Sequence, residues 1–198
     1  YIEMGALDGL RFSNSWLFHV EFSWQGLLVE LTKENYDRLV VNRPHELALV
    51  QAGVCKERTN VHLVQGHSAV SGIWEFASPE YREKWWPNVL DPKYLPTIDC
   101  LPLQDILDQH IERTEHGFHY FDFFSLDVEG GEWNALQSID WDRTAFGVLF
   151  LEAPDSKGLE RDSIITYVQR RGYGYLGEKN NSLWFLHGDF YEIYSHVT

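Results

Sequence analysis

Two periodicities alternate along this chain. Short apolar runs at Gly26-Leu-Leu-Val-Glu30, Leu47 to Val54, Asn60 to Val64, Phe121-Asp-Phe-Phe-Ser-Leu-Asp127 and Phe146 to Glu152 read as buried strands. Tyr1 to Met4 reads as a further short strand that runs into the turn Gly5-Ala-Leu-Asp8-Gly9. Between the strands, apolar positions recur at helical spacing. Asn14 to Phe22 is expected to be helical with Ser13 as N-cap, and Thr32 caps a second helix whose Tyr36, Leu39 and Val40 share one face. Further helices are expected from Pro102 to about His110, through Trp133 and Leu136, and from Arg161 to Arg171, which ends at Gly172. Tyr173 to Leu176 and Leu183 to Leu186 form a final hairpin around Asn180-Asn181.

Strands that alternate with helices predict an α/β fold, a doubly wound and mostly parallel sheet with both faces covered. The C-terminal hairpin adds one antiparallel edge strand. The whole chain, 1–198, reads as a single domain. The pattern breaks between Ser71 and Thr97, where Trp74, Phe76, Tyr81, Trp85, Trp86 and Tyr94 are interspersed with prolines. A break of that length predicts a lid or substrate-facing insertion at 71–97.

Charge narrows the partners. Lys and Arg number 16 against 30 Asp and Glu, a formal charge of −14, and no basic cluster offsets it. Such a surface repels phosphate backbones, which excludes nucleic acid and anionic membranes as expected partners. No apolar run is long enough to span a bilayer. Cys55 and Cys100 are too few for a disulfide framework. They read as small buried hydrophobes in a reducing compartment, which predicts a cytoplasmic protein.

In an open α/β sheet, ligands bind beyond the carboxyl ends of the strands, at the switch point. Three strand ends carry unusual residues here. Gly5 and Gly9 allow the backbone a tight turn and a close approach to a ligand. The spacing G-x-G-x-x-G of a dinucleotide site is missing, and Glu3 and Asp8 would repel phosphate. An acidic turn suits a ligand with an ammonium and a sulfonium. Glu30, ending the second strand, is placed to accept two ribose hydroxyls. Asp127, Glu129 and Glu132 crowd the mouth of a hydrophobic strand. That arrangement calls for something positive: a cofactor ammonium, a divalent metal or a substrate proton. Glu132 also suits simple capping of the next helix.

The run Glu3-x-Gly5-Ala-Leu-Asp8-Gly9 with Ser13-Asn14 resembles the first motif of the FkbM family of methyltransferases. Trp24-x-Gly26-Leu-Leu-Val-Glu30, Cys100-Leu-Pro-Leu103, Ser125-Leu-Asp127-Val-Glu129-Gly130-x-Glu132, Leu136-x-Ser-Ile-Asp140-Trp141 and Leu151-Glu152 are similar to its later motifs. The resemblance implies a Rossmann-like sheet of the class I methyltransferase type, with S-adenosylmethionine as donor. It also implies a hydroxyl acceptor on a sugar, glycan or natural product. It assigns Glu3, Gly5, Asp8, Gly9, Ser13, Asn14, Glu30 and Asp127 to the cofactor. Asp127, Glu129 or both are expected to act as base, with His67 a rival. The alternative is that Asp127, Glu129, Glu152 and Asp155 hold Mg²⁺. The upstream helices that many relatives carry do not appear in this sequence, so the expectation is that either those residues were lost or the Trp-rich insertion or a second subunit of a homo-oligomer covers the cofactor. Two other classes remain open: a nicotinamide oxidoreductase and a non-catalytic Rossmann-like binding domain.

Overall fold

The computed structural model describes residues 1–66, 70–152, 159–190 and 192. Its central sheet has seven strands. In chain order they are β1 (Ile2–Met4), β2 (Leu27–Glu30), β3 (Ala48–Gln51), β8 (His119–Leu126), β9 (Thr144–Glu152), β10 (Tyr173–Lys179) and β11 (Ser182–His187), and in space they run β10-β11-β9-β8-β1-β2-β3. From β3 to β9 all neighbours are parallel. The chain winds outward from β1 to β3 and then returns to β8 on the other side of β1, so the switch point lies between β1 and β8.

The apolar runs explain the two layers. Ile2, Met4, Leu27, Val29, Phe124, Leu126, Leu149 and Leu151 pack on one face against Ile106 and Leu107 of α4 (Leu103–His110), Leu136 of α5 (Glu132–Gln137) and Ile164 and Val168 of α6 (Leu159–Gln169). Tyr1, Leu28 and Phe123 point to the opposite face, where Phe18 of α1 (Trp16–Phe22) and Leu39 of α2 (Lys33–Asn42) meet them. Alternation along the strands sends successive side chains into different cores.

Three expectations need correction. First, β11 is the antiparallel strand, and it lies between β9 and β10 rather than at the edge. The hairpin expectation itself stands: Asn180 and Asn181 both have positive φ, the backbone a tight two-residue hairpin turn needs. Second, residues 71–97 are not a structureless loop. They hold β6 (Gly72–Ile73), α3 (Pro79–Trp85) and a short 3-10 turn (Pro92–Tyr94). Together with β4 (Gly53–Val54), β5 (Thr59–Val64) and β7 (Thr97–Leu101) they build a second sheet ordered β4-β7-β5-β6. Val64, Ala77 and Trp86 are buried there, with Trp74 and Tyr81 packed on them, so much of the aromatic excess is a small core. Third, Cys55 and Cys100 are not reduced thiols. They form a disulfide, with Cα atoms 5.5 Å apart. The bridge fastens the end of β4 to β7, and it removes the reducing-compartment argument for a cytoplasmic protein. No helix among the described residues is long and apolar enough to cross a membrane.

Candidate functional site

One cavity opens at the carboxyl ends of the central strands. It encloses about 1000 Å³, including its open mouth, and is lined by Met4 and Gly5 from β1, Val29 and Glu30 from β2, Ala52–Val54 beyond β3, and Asp127–Glu129 beyond β8. Leu31, Ile73 and Phe76 give it an apolar wall. The switch point and the cavity therefore coincide.

Gly5 is fixed by geometry. A Cβ there would stand 1.8 Å from the carbonyl oxygen of Asp127, so only glycine lets the two strand exits meet. Its N–H and that of Ala6 both donate to the Val29 carbonyl, which pins the turn across β2. Glu30 is buried, and its carboxylate organises the next turn. Oε1 accepts from Thr32 N at 2.9 Å, Thr32 Oγ1 at 2.8 Å and Asn35 Nδ2 at 3.4 Å, whereas Oε2 takes the Leu7 N–H at 2.9 Å. Burial raises the Glu30 pKa, and these donors oppose the rise. A carboxylate oxygen accepts along two lone pairs, so Oε2 keeps acceptor capacity toward the cavity. Thr32 does not cap α2 with its side chain, because its hydroxyl serves Glu30 instead.

Beyond β8 the acids gather. Asp127 and Glu152, at the end of neighbouring β9, share a hydrogen bond. Burial raises the pKa of both, and Asp127 beside it pushes Glu152 up to about 10. Glu132 is fully enclosed and sits at about 7, chiefly through burial; its Oε1 accepts from Val128 N at 2.9 Å and Gly130 N at 3.4 Å, closing the turn before α5. Glu129 takes a left-handed backbone, φ 55°, and lines the cavity. Tyr81 of α3 stands near Glu129, and burial first, and then the neighbouring carboxylates, push its pKa up. The loop and the insertion fit tightly, since a Cβ on Gly130 would stand 3.1 Å from the Phe76 carbonyl oxygen.

The sequence-derived residues thus divide. Gly5, Glu30, Asp127 and Glu129 line the cavity, and Glu152 stands behind Asp127. Glu3, Asp8, Gly9, Ser13 and Asn14 are not among its lining residues. Glu3 is 2% exposed and holds the following loop in place, accepting from Ser13 Oγ at 2.8 Å, Ser15 Oγ at 2.5 Å and Asn14 N at 2.6 Å. Ser13 is therefore spent on Glu3, and Ser15 is the residue that precedes α1. Asp8 Oδ1 accepts from the N–H groups of Leu10 and Arg11, forming a local turn. Gly9 lets α2 pack close, because a Cβ would meet Leu39 and Arg43 at 2.6 Å. His67 and Asp155 lie outside the described residues. Among the described residues no three His, Cys, Asp or Glu side chains stand where they could hold a metal ion, so the Mg²⁺ expectation finds no support there. Leu7 and Asn35 line the site without having been singled out in the sequence, and Phe76 in its wall and Tyr81 near Glu129 stood there only among the aromatics of the insertion. Tyr81 is one aromatic among many in its segment, and only the fold brings it to the acids.

A parallel sheet with its cleft at the switch point, a glycine turn and an acid closing the second strand define an α/β domain built to bind a ligand at its strand ends. The FkbM methyltransferase domain model matches residues 3–175, and the chain belongs to that family. Comparisons with curated proteins and with solved structures return no match.

Proposed function

We propose that this chain is an S-adenosylmethionine-dependent O-methyltransferase acting on a hydroxyl of a sugar or glycan, on a Rossmann-like sheet of the class I type. One observation carries the reading: Glu30, Asp127 and Glu129 line the cavity, and among the described residues no lysine or arginine pairs with Asp127 or with the acids beside it, Glu132 and Glu152. Buried acids raised by desolvation are favourable ground for a cationic ligand and hostile to a pyrophosphate. That weighs against a nicotinamide cofactor.

The residues fit the donor. Glu30 Oε2 is available to ribose hydroxyls, the apolar wall of Leu31, Ile73 and Phe76 suits a flat heterocycle, and Asp127 faces the end where the ammonium and sulfonium charges belong. The donor supplies a methyl group on a sulfonium. This chain must then position the acceptor oxygen in line and take up its proton. Asp127 and Glu129 are the groups at the cavity with that capacity. Glu152 holds Asp127 through their shared proton, and Tyr81 stands near Glu129. With the donor bound, Asp127 or Glu129 would take up the acceptor's proton as the methyl group is transferred and the donor leaves as its thioether. The half-buried Trp74 and Tyr81 of the insertion are the aromatic side chains that a sugar ring would meet, which favours the glycan reading.

Calorimetry with S-adenosylhomocysteine tests the donor. Saturable heat at one site is expected. No heat, or competition by NAD, would end the reading.

A further inference from the structure

The turn that leaves β1 holds four left-handed residues: Gly5 at φ 79°, Leu7 at 52°, Gly9 at 77° and Phe12 at 59°. Three have a reason in the resting fold. Gly5 abuts the Asp127 carbonyl, Gly9 makes room for α2, and Leu7 turns its N–H onto Glu30. Phe12 has no such reason. A bulky side chain enters that backbone region only at a cost, and strain of this kind gathers at ligand clamps. Yet Phe12 is 76% exposed and fills no core. Its ring finds no aromatic neighbour among the described residues; the guanidinium of Arg11 lies 5.6 Å from its centroid. What Phe12 does touch is the cavity, as part of its lining.

The insertion cannot supply a moving cover from this side, since Phe76, Trp86 and the Gly130 turn are locked together. At the rim, Phe12 is 76% exposed and belongs to none of the buried clusters among the described residues.

We propose that Phe12 is the donor's closing side chain. Its ring is held out at the rim by a left-handed backbone, and it gains its burial by lying against the bound nucleoside methyl donor, excluding water from the sulfonium. The inference rests on the function proposed above. It makes Phe12 a donor-affinity residue, with no part in proton transfer.

Calorimetry with S-adenosylhomocysteine and ligand-free thermal unfolding, on wild type, Phe12→Ala and Phe12→Leu, test it. Phe12→Ala is expected to bind about tenfold more weakly, the effect of forfeiting burial of roughly half a phenyl ring. Its ligand-free unfolding midpoint is expected to match wild type, because the ring is 76% exposed and joins no hydrophobic cluster among the described residues. Phe12→Leu is expected to recover most of the affinity. Affinity of Phe12→Ala within twofold of wild type would overturn the inference. So would a midpoint several degrees lower without ligand, which would show that the ring already packs. Wild type giving no heat would take down the function itself, an outcome separate from a variant that binds as well as wild type.

Discussion

Two clusters of buried carboxylates lie on opposite sides of the glycine turn, and they differ in one respect. Under α1 and α2, Glu3 and Glu46 surround Arg43, which is wholly buried. Arg43 reaches Glu46 at 2.7 Å, the Tyr1 hydroxyl at 2.5 Å and the Gly9 carbonyl at 2.9 Å. At the ends of β8 and β9, Glu132 is as deeply set, Asp127 and Glu152 are half-buried, and among the described residues no such cation stands with them. The first cluster carries its own positive charge and is architecture. The second meets its desolvation by keeping protons, a state that a cationic ligand can replace. A buried acid is informative about function only once its counter-charge has been looked for.

The sharpest way to break this contrast is to remove the cation of the first cluster. Arg43→Met leaves Glu46 and Glu3 unpaired, and a loss of about 3–5 kcal/mol in urea unfolding is expected, down to failure to fold. A loss below about 1 kcal/mol would show that the network is not structural. Next comes Asp127→Asn in the second cluster. Methyl transfer from labelled donor to a glycoside panel is expected to fall by roughly 10²–10⁴, with S-adenosylhomocysteine affinity nearly unchanged. Loss of binding together with turnover would make Asp127 a cofactor ligand alone.

Glu152 sharpens the contrast through pH. Its folded pKa of about 10 lies above the model-peptide value of 4.5, so the folded protein retains a proton that the unfolded chain releases. Stability from this group is therefore full below pH 4.5 and declines as pH rises toward 10, at up to about 1.4 kcal/mol per pH unit for one proton. Glu152→Gln is expected to flatten that decline between pH 5.5 and 8.5 in urea midpoints, leaving the part owed to Asp127 and Glu132. An unchanged slope would place the retained proton elsewhere. The smallest effect is expected of Tyr81→Phe: a several-fold fall in transfer, with donor affinity held and stability within about 1 kcal/mol of wild type. An unaltered rate would reduce Tyr81 to packing.

The sequence announced the central strands well, because a parallel strand buried on both faces leaves an uninterrupted apolar run. It announced Gly5, Glu30 and Asp127 for a related reason: each is tied to the end of such a run. Glu3 was misleading because it stands inside β1, two residues from the turn, and the alternation that puts Ile2 and Met4 in one core turns Glu3 under the other. Its partners Arg43 and Ser15 are set by tertiary packing. The helix α3 stayed hidden since none of its residues is buried, so no apolar stripe marks it. β7 hid likewise, with mostly half-buried and exposed positions.

The Cys55–Cys100 bridge has a practical side. Its sulfurs lie in the same small core as Ile73, with Leu31 and Phe76 against them, and those three side chains also form the apolar wall of the cavity. The bridge joins residues 45 apart in sequence, a closure worth about 4 kcal/mol by chain entropy. Protein made in a thiol-rich host, or stored with dithiothreitol, would keep that wall by packing alone. Weak ligand affinity in such a sample would reflect how it was handled before it reflected what the protein recognises.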